Sequence, residues 1–179
     1  MHSSKIIFIL FFLAFQEKTI AKADTSKYNF FKNHEISIQT LSYVKHLGSN
    51  DPSLNEGFGN RLFIAGLSVD EQKKTKILFG FINNSFNDKC MLLGISHNWI
   101  KLSDKVDFVG MYAYVGEVPG IACQNCGNEG VYNTFKKSTG IGFAPYIWHG
   151  ISYKIMDNFK INSGIIFPHV ATINLEFVF

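Results

Sequence analysis

The chain has 179 residues, 46% of them hydrophobic and 17% charged, with 18 Phe and 15 Gly. A formal net charge of +3 excludes the strongly basic or acidic balance that would draw the protein to nucleic acid or to acidic surfaces. The length suits a single domain, and past the N-terminal region no apolar run is long enough to cross a bilayer as a helix.

Met1 to Lys5 is a short basic lead, and Ile6 to Phe15 (IIFILFFLAF) is an apolar run. That run has the length of a secretory h-region and is too short to span a membrane. Ala21-Lys22-Ala23 matches an A-x-A cleavage site. Residues 1–23 are therefore expected to be a signal peptide, with the mature chain starting at Asp24, although polar Gln16-Glu17-Lys18 makes an irregular approach to the cut. Cleavage removes Lys5, Lys18, Lys22 and Glu17 and leaves a near-neutral mature chain. An exported chain this apolar, without a spanning helix, either buries its apolar surface in a core or presents it to lipid. Only a closed barrel satisfies every backbone group of a strand protein in hydrocarbon.

Residues 24–34 read as a short periplasmic lead segment. Eight strands are expected in the order Glu35 to Leu47, Asn60 to Val69, Thr75 to Asn84, Cys90 to Leu102, Val106 to Glu117, Ile141 to Ile155, Phe159 to Phe167 and Val170 to Phe179. The last is the clearest. Ala171, Ile173, Leu175, Phe177 and Phe179 alternate with Thr172, Asn174, Glu176 and Val178, a period of two with one apolar face. In the first strand the phase slips near Thr40, which predicts a bulge or a strand end. Asp70 to Lys74, Ser103 to Lys105 and Met156 to Asn158 are tight turns. Val118 to Gly140 reads as one long glycine-rich loop. An even strand count, hairpin connections and alternating faces predict an all-β fold over residues 35–179: an eight-stranded antiparallel up-and-down transmembrane β-barrel. The short turns would face the periplasm and the longer segments the cell exterior. A soluble exported barrel that binds an apolar ligand is the rival architecture.

Inside such a barrel, Lys160, Asn162, Asn174 and Glu176 would make one flank polar. The third to fifth strands are apolar on both faces, which fits either a packed small-barrel core or a slot for a hydrocarbon chain. Cys123 and Cys126 form a CxxC in an oxidising compartment and read as a small disulfide loop, with redox or metal roles as alternatives. Cys90 is left as the odd thiol. His97, His149 and His169 show no metal-ligand spacing, and no metal or cofactor is expected.

Four features resemble the lipid A palmitoyltransferase (PagP) family of outer-membrane barrels. Asn55-Glu56 follows the first long loop, where the family has Tyr-Asn-Glu and this chain has Leu54 in place of the Tyr. Asn84-Ser85-Phe86-Asn87 lies at the outer end of the third strand, where the family has Asp-Ser-Trp-Asn. Pro145 and Pro168 sit in the regions where family prolines open the hydrogen-bonded wall and admit lipid laterally, although Pro168 beside its turn reads better as a strand terminator. An Ala-x-Ala-Asp cleavage site and an aromatic C-terminus complete the likeness. The resemblance implies acyl transfer from a phospholipid to lipid A, carried by a His and an Asp-Ser pair.

By position the candidates for that chemistry are His46, Ser85 and Asn84. His46 would take a hydroxyl proton, and Ser85 would stabilise an oxyanion or act as nucleophile. Asn84 replaces the family Asp, and an amide cannot balance an imidazolium. Asp88, across the turn, is the nearest substitute by sequence. A rim carboxylate beside His46 would favour the enzyme over a non-enzymatic barrel of structural or surface-interaction type. The expected setting is the bacterial outer membrane, as a monomer whose partners are phospholipid and lipid A, without nucleic acid.

Overall fold

A computed structural model of the chain describes residues 34–49, 51, 52, 54, 56–85, 87–117, 130–140 and 142–179. The expected signal peptide, nearly all of the expected lead segment and the CxxC lie outside the described residues. Nine strands form one sheet: β1 (Ile36–His46), β2 (Gly57–Gly59), β3 (Leu62–Ser68), β4 (Thr75–Asn83), β5 (Lys89–Lys101), β6 (Val106–Gly116), β7 (Phe143–Met156), β8 (Phe159–Ile166) and β9 (Val170–Val178). Each neighbour pairs antiparallel, and β1 also pairs with β9, so the sheet closes on itself.

The closed wall counts eight strands, because β2 and β3 share one edge of β1. Ile36 to Gln39 pair with β3, and Ser42 to Val44 pair with β2. Between those two halves the β1–β9 register shifts from Thr40 to Ser42, and Leu41 takes a positive φ of 48°. The phase slip in the sequence is this bulge: an extra residue in β1 keeps Ser42 and His46 facing inward beside Ser37 and Gln39. The expected strands and the observed ones agree to within about two residues at each end.

Besides the short β2 in an expected connecting segment, two features depart from expectation. The long segment after β6 is not all loop, since Gly130–Thr139 forms a helix, α1. It ends at Gly140, whose φ of 78° and N–H bond to the Lys136 carbonyl make a left-handed C-cap. Lys136 pairs with Glu117 at 3.0 Å, and Phe135 packs on Phe143 with ring centroids 5.1 Å apart, which fixes α1 against the outer end of β7. The second departure is Cys90, which is disulfide-bonded rather than the odd thiol. The chain has three cysteines, so a Cys90 bridge within the chain and the expected Cys123–Cys126 bridge cannot both form.

The interior has two levels. Toward the outer end, Leu62, Ile64, Leu78, Leu92, Val109, Met111, Val115, Tyr146 and Trp148 make a packed apolar core. Trp148 is fully buried, and its Nε1 donates to Thr172 Oγ1 at 2.8 Å. Its ring needs the bare backbone of Gly150 and Gly164, paired in β7 and β8, because a Cβ on either would lie 2.6 Å from the indole. Toward the other end the core gives way to charge. Lys76 Nζ sits 2.6 Å from Glu176 and 2.7 Å from Glu35, and Asn162 Nδ2 donates to Glu176 at 3.0 Å. Buried ions persist only when paired and hydrogen-bonded, and this cluster meets both conditions.

The exterior is apolar. Phe63, Ile77, Phe79, Leu93, Ile95, Ile151, Ile165 and Ile173 all point outward and are exposed. A soluble protein does not ring itself with such a surface, whereas a barrel in hydrocarbon requires it.

Candidate functional site

The site lies at the outer rim, where the ends of three segments meet. His46 is the last residue of β1. Glu56 precedes β2, and the antiparallel register that pairs Val44 with Gly57 carries Glu56 beside Lys45 and His46. Ser85 follows β4 in the hairpin to β5.

His46 Nε2 lies 2.8 Å from Ser85 Oγ. On the other side of the ring, His46 Nδ1 faces Glu56 Oε1 at 3.3 Å. That separation is an ion-pair distance, but the alignment falls short of a directed hydrogen bond, and buried Nδ1 has no such partner among the described residues. The same carboxylate oxygen accepts the His46 backbone N–H at 2.8 Å, and the other oxygen pairs with Lys45 Nζ at 2.5 Å. The Lys45 ammonium first, and the His46 backbone N–H after it, hold the Glu56 carboxyl below its ordinary range. Serine, imidazole and carboxylate thus stand in line, the order that activates a hydroxyl for attack on an ester.

Asn84 is brought near this line without joining it through its described side-chain bonds. Its Oδ1 accepts the Asp88 N–H at 2.9 Å, and its Nδ2 donates to Asp88 Oδ2 at 3.3 Å. These bonds fold the β4–β5 hairpin that presents Ser85. Asp88 is likewise occupied with Asn84. The carboxylate behind His46 comes from Glu56, which sequence reasoning treated only as part of a motif. The available signal was the motif itself, because an Asn-Glu pair ending a rim loop places an acid where β1 also ends.

Ser85 opens onto an interior cavity of about 200 Å³ lined mainly by apolar groups, among them Leu62, Ile82, Tyr146 and Ile166. Ser42 also lines it, buried, with an Oγ that meets no hydrogen-bond partner among the described residues. Pro145 and Pro168 lie at its wall. Pro145 stands in β7 opposite Tyr114, and the register turns its nitrogen toward the β8 side, where it brings no N–H. Pro168 sits in the β8–β9 turn, so it ends a strand rather than interrupting one. Among the described residues no cluster of His, Cys, Asp and Glu could hold a metal ion.

No protein-family profile and no curated protein sequence matches this chain. The fold is similar to a de novo designed transmembrane β-barrel, with a TM-score of 0.46 and 11% identity over 82% of this chain and 94% of that one. It is also similar to Neisserial surface protein A, with a TM-score of 0.33 and 10% identity over 81% of this chain and 93% of that one. A third likeness is to Ail, the attachment invasion locus protein of Yersinia pestis, with a TM-score of 0.33 and 12% identity over 82% and 97%. These likenesses are distant and extend to the barrel architecture alone. The chain is an eight-stranded barrel of outer-membrane type, and its closed hydrogen bonding and apolar exterior place it in the bacterial outer membrane.

Proposed function

We propose that the protein transfers an acyl chain between membrane lipids at the outer rim, as the resemblance to the lipid A palmitoyltransferase family implies. One observation carries the reading: Ser85 Oγ, His46 Nε2 and the Glu56 carboxylate lie in line at the mouth of a largely apolar cavity.

In this reading Ser85 Oγ attacks the ester carbonyl of a phospholipid and His46 Nε2 takes the Ser85 proton. The ester C–O bond breaks, and His46 returns the proton to the departing glycerol oxygen. Ser85 then carries the acyl group. A hydroxyl of the acceptor, lipid A or another surface lipid, repeats the exchange in reverse and leaves with the acyl chain. Glu56, 3.3 Å from His46 Nδ1, stabilises by its charge the imidazolium formed in each half.

The test compares lipid A and phospholipids, by mass spectrometry, from cells with the wild-type protein, with Ser85→Ala and with no protein. An added acyl chain on lipid A or another surface lipid that is lost in Ser85→Ala is the expected result. Identical lipids in all three would leave the protein as a non-enzymatic barrel.

A further inference from the structure

We propose that the mouth of the barrel at its short-turn end binds a soluble anionic saccharide, with the charge met by Lys105 and Lys154, the hydroxyls by Asn98 and Ser152, and the sugar ring by Trp99. A cavity of about 420 Å³ opens there, within the size range of small-molecule sites. In an outer-membrane barrel the short turns face the periplasm, so the cavity is reached from water rather than from lipid. It lies at the opposite end from His46 and Ser85 and does not depend on acyl transfer.

Three hairpin turns ring the mouth. The β3–β4 turn brings Lys73 and Lys74, the β5–β6 turn Asp104 and Lys105, and the β7–β8 turn Asp157. Deeper in, Asp107 pairs with Ser152 across β6 and β7, and both line the cavity. Glu35 reaches it from the buried Lys76 cluster and lies 3.7 Å from Lys160, so the inner end is already neutralised. The outer part is not. Six lysines line the cavity against four acids, and a recess with low-dielectric walls focuses such an excess.

The cations there are open to an anion. Lys101 pairs with Asp104 at 3.0 Å and Lys154 with Asp157 at 3.2 Å, but the two acid side chains are 98% and 100% exposed. Exposed pairs contribute little, so a ligand displaces either acid at small cost. Lys73, Lys74 and Lys105 form no ion pair among the described residues. Asp104 senses the field: Lys101 first, and Lys154 as well, hold its carboxyl below the ordinary range. A ligand carboxylate or phosphate at the same mouth meets the same two cations. The sugar part follows from the wall. The β5–β6 register shifts between Asn98 and Ile100, and this bulge re-aims Trp99. Trp99 is 55% exposed and is held edge-on by His97 and Tyr112, with centroids 4.7 Å and 6.5 Å away. A fixed aromatic ring beside the Asn98 amide and the Ser152 hydroxyl suits a sugar, which offers C–H faces and hydroxyl edges, whereas a bare phosphate would use the lysines alone. Residues 24–33 carry Lys27 and Lys32 against Asp24, so the chain's own lead brings no net negative charge to this mouth.

The experiment is calorimetric titration of the full barrel, solubilised in a zwitterionic detergent, with four probes: a phosphorylated maltotriose, a disaccharide tetrapeptide from peptidoglycan, maltotriose and inorganic phosphate. At least one of the two charged sugars is expected to bind one to one, about tenfold tighter than maltotriose or inorganic phosphate, and to weaken as salt is raised. Whichever charged sugar binds tighter identifies the source, phosphate or carboxylate. Lys105→Gln and Lys154→Gln should each weaken that binding by about threefold to tenfold. Lys154→Arg keeps the charge and should bind as wild type does, while Trp99→Leu should weaken both charged sugars. Heat-shifted migration on gels shows whether each variant folds. Ser85→Ala and Lys89→Gln, at the other end, should bind as wild type does, so loss of transfer and loss of binding are read separately. The proposal is overturned if neither charged sugar binds, if maltotriose or inorganic phosphate binds as tightly, or if the folded Lys105→Gln and Lys154→Gln variants both bind unchanged.

Discussion

His46 Nε2 and Ser85 Oγ meet at 2.8 Å although 39 positions separate them in the chain. Each ends its own segment at the same rim, and the register of the closed wall sets the distance. Glu56 arrives by a third route, through the short pairing of β2 with β1.

That arrangement predicts a graded series for lipid acylation. Ser85→Ala and His46→Gln should lower the transfer rate by about 10²-fold or more, the scale of a lost nucleophile or general base. Glu56→Gln keeps shape and loses charge, and should fall between these variants and wild type. Chain-transfer assays in mixed micelles measure all three. A Glu56→Gln enzyme as fast as wild type would show that the carboxylate only braces the loop.

The rim clamp should also respond to pH. Glu56 has its carboxyl lowered from an ordinary value of 4.5, chiefly by Lys45 and then by the His46 backbone N–H. A depressed carboxyl stabilises the fold above its unfolded value and loses that contribution as pH falls through its folded value. The stability difference between wild type and Glu56→Gln should therefore be constant above about pH 5 and vanish on further acidification. Urea titrations in detergent at stepped pH give the comparison.

The buried cluster at the other end supplies a third prediction. Lys76 is shared between Glu176 and Glu35. Lys76→Met takes the ion-pair partner from buried Glu176 and leaves Glu35 with Lys160 alone, and should cost about 3–5 kcal/mol. Lys76→Met combined with Glu176→Leu should recover a large part of that loss. Unfolding midpoints of the single and double variants in urea decide the matter.

Trp148 is the apolar counterpart. Trp148→Ala should cost about 3–5 kcal/mol, the range for deleting a large core aromatic. Gly164→Val should be severe as well, since a Cβ there would lie 2.3 Å from the His149 carbonyl and 2.6 Å from the indole. Gel mobility of unheated samples reports whether each barrel still closes.

The sequence by itself determined the wall. Alternation with period two is a local property of each strand, so eight strands, a slip near Thr40 and the apolar outer face were legible from Ile36 to Phe179. Proximity across the barrel is not local. Strand pairing put Glu56 behind His46 and Asn83 opposite Lys89, and the closed wall brought Ser85 to His46 and gathered Glu35, Lys76 and Glu176 into one cluster. The helix from Gly130 and the Cys90 bridge escaped for related reasons: a ten-residue helix beside a glycine-rich segment has a weak periodic signal, and cysteine pairing depends on distance through space rather than along the chain.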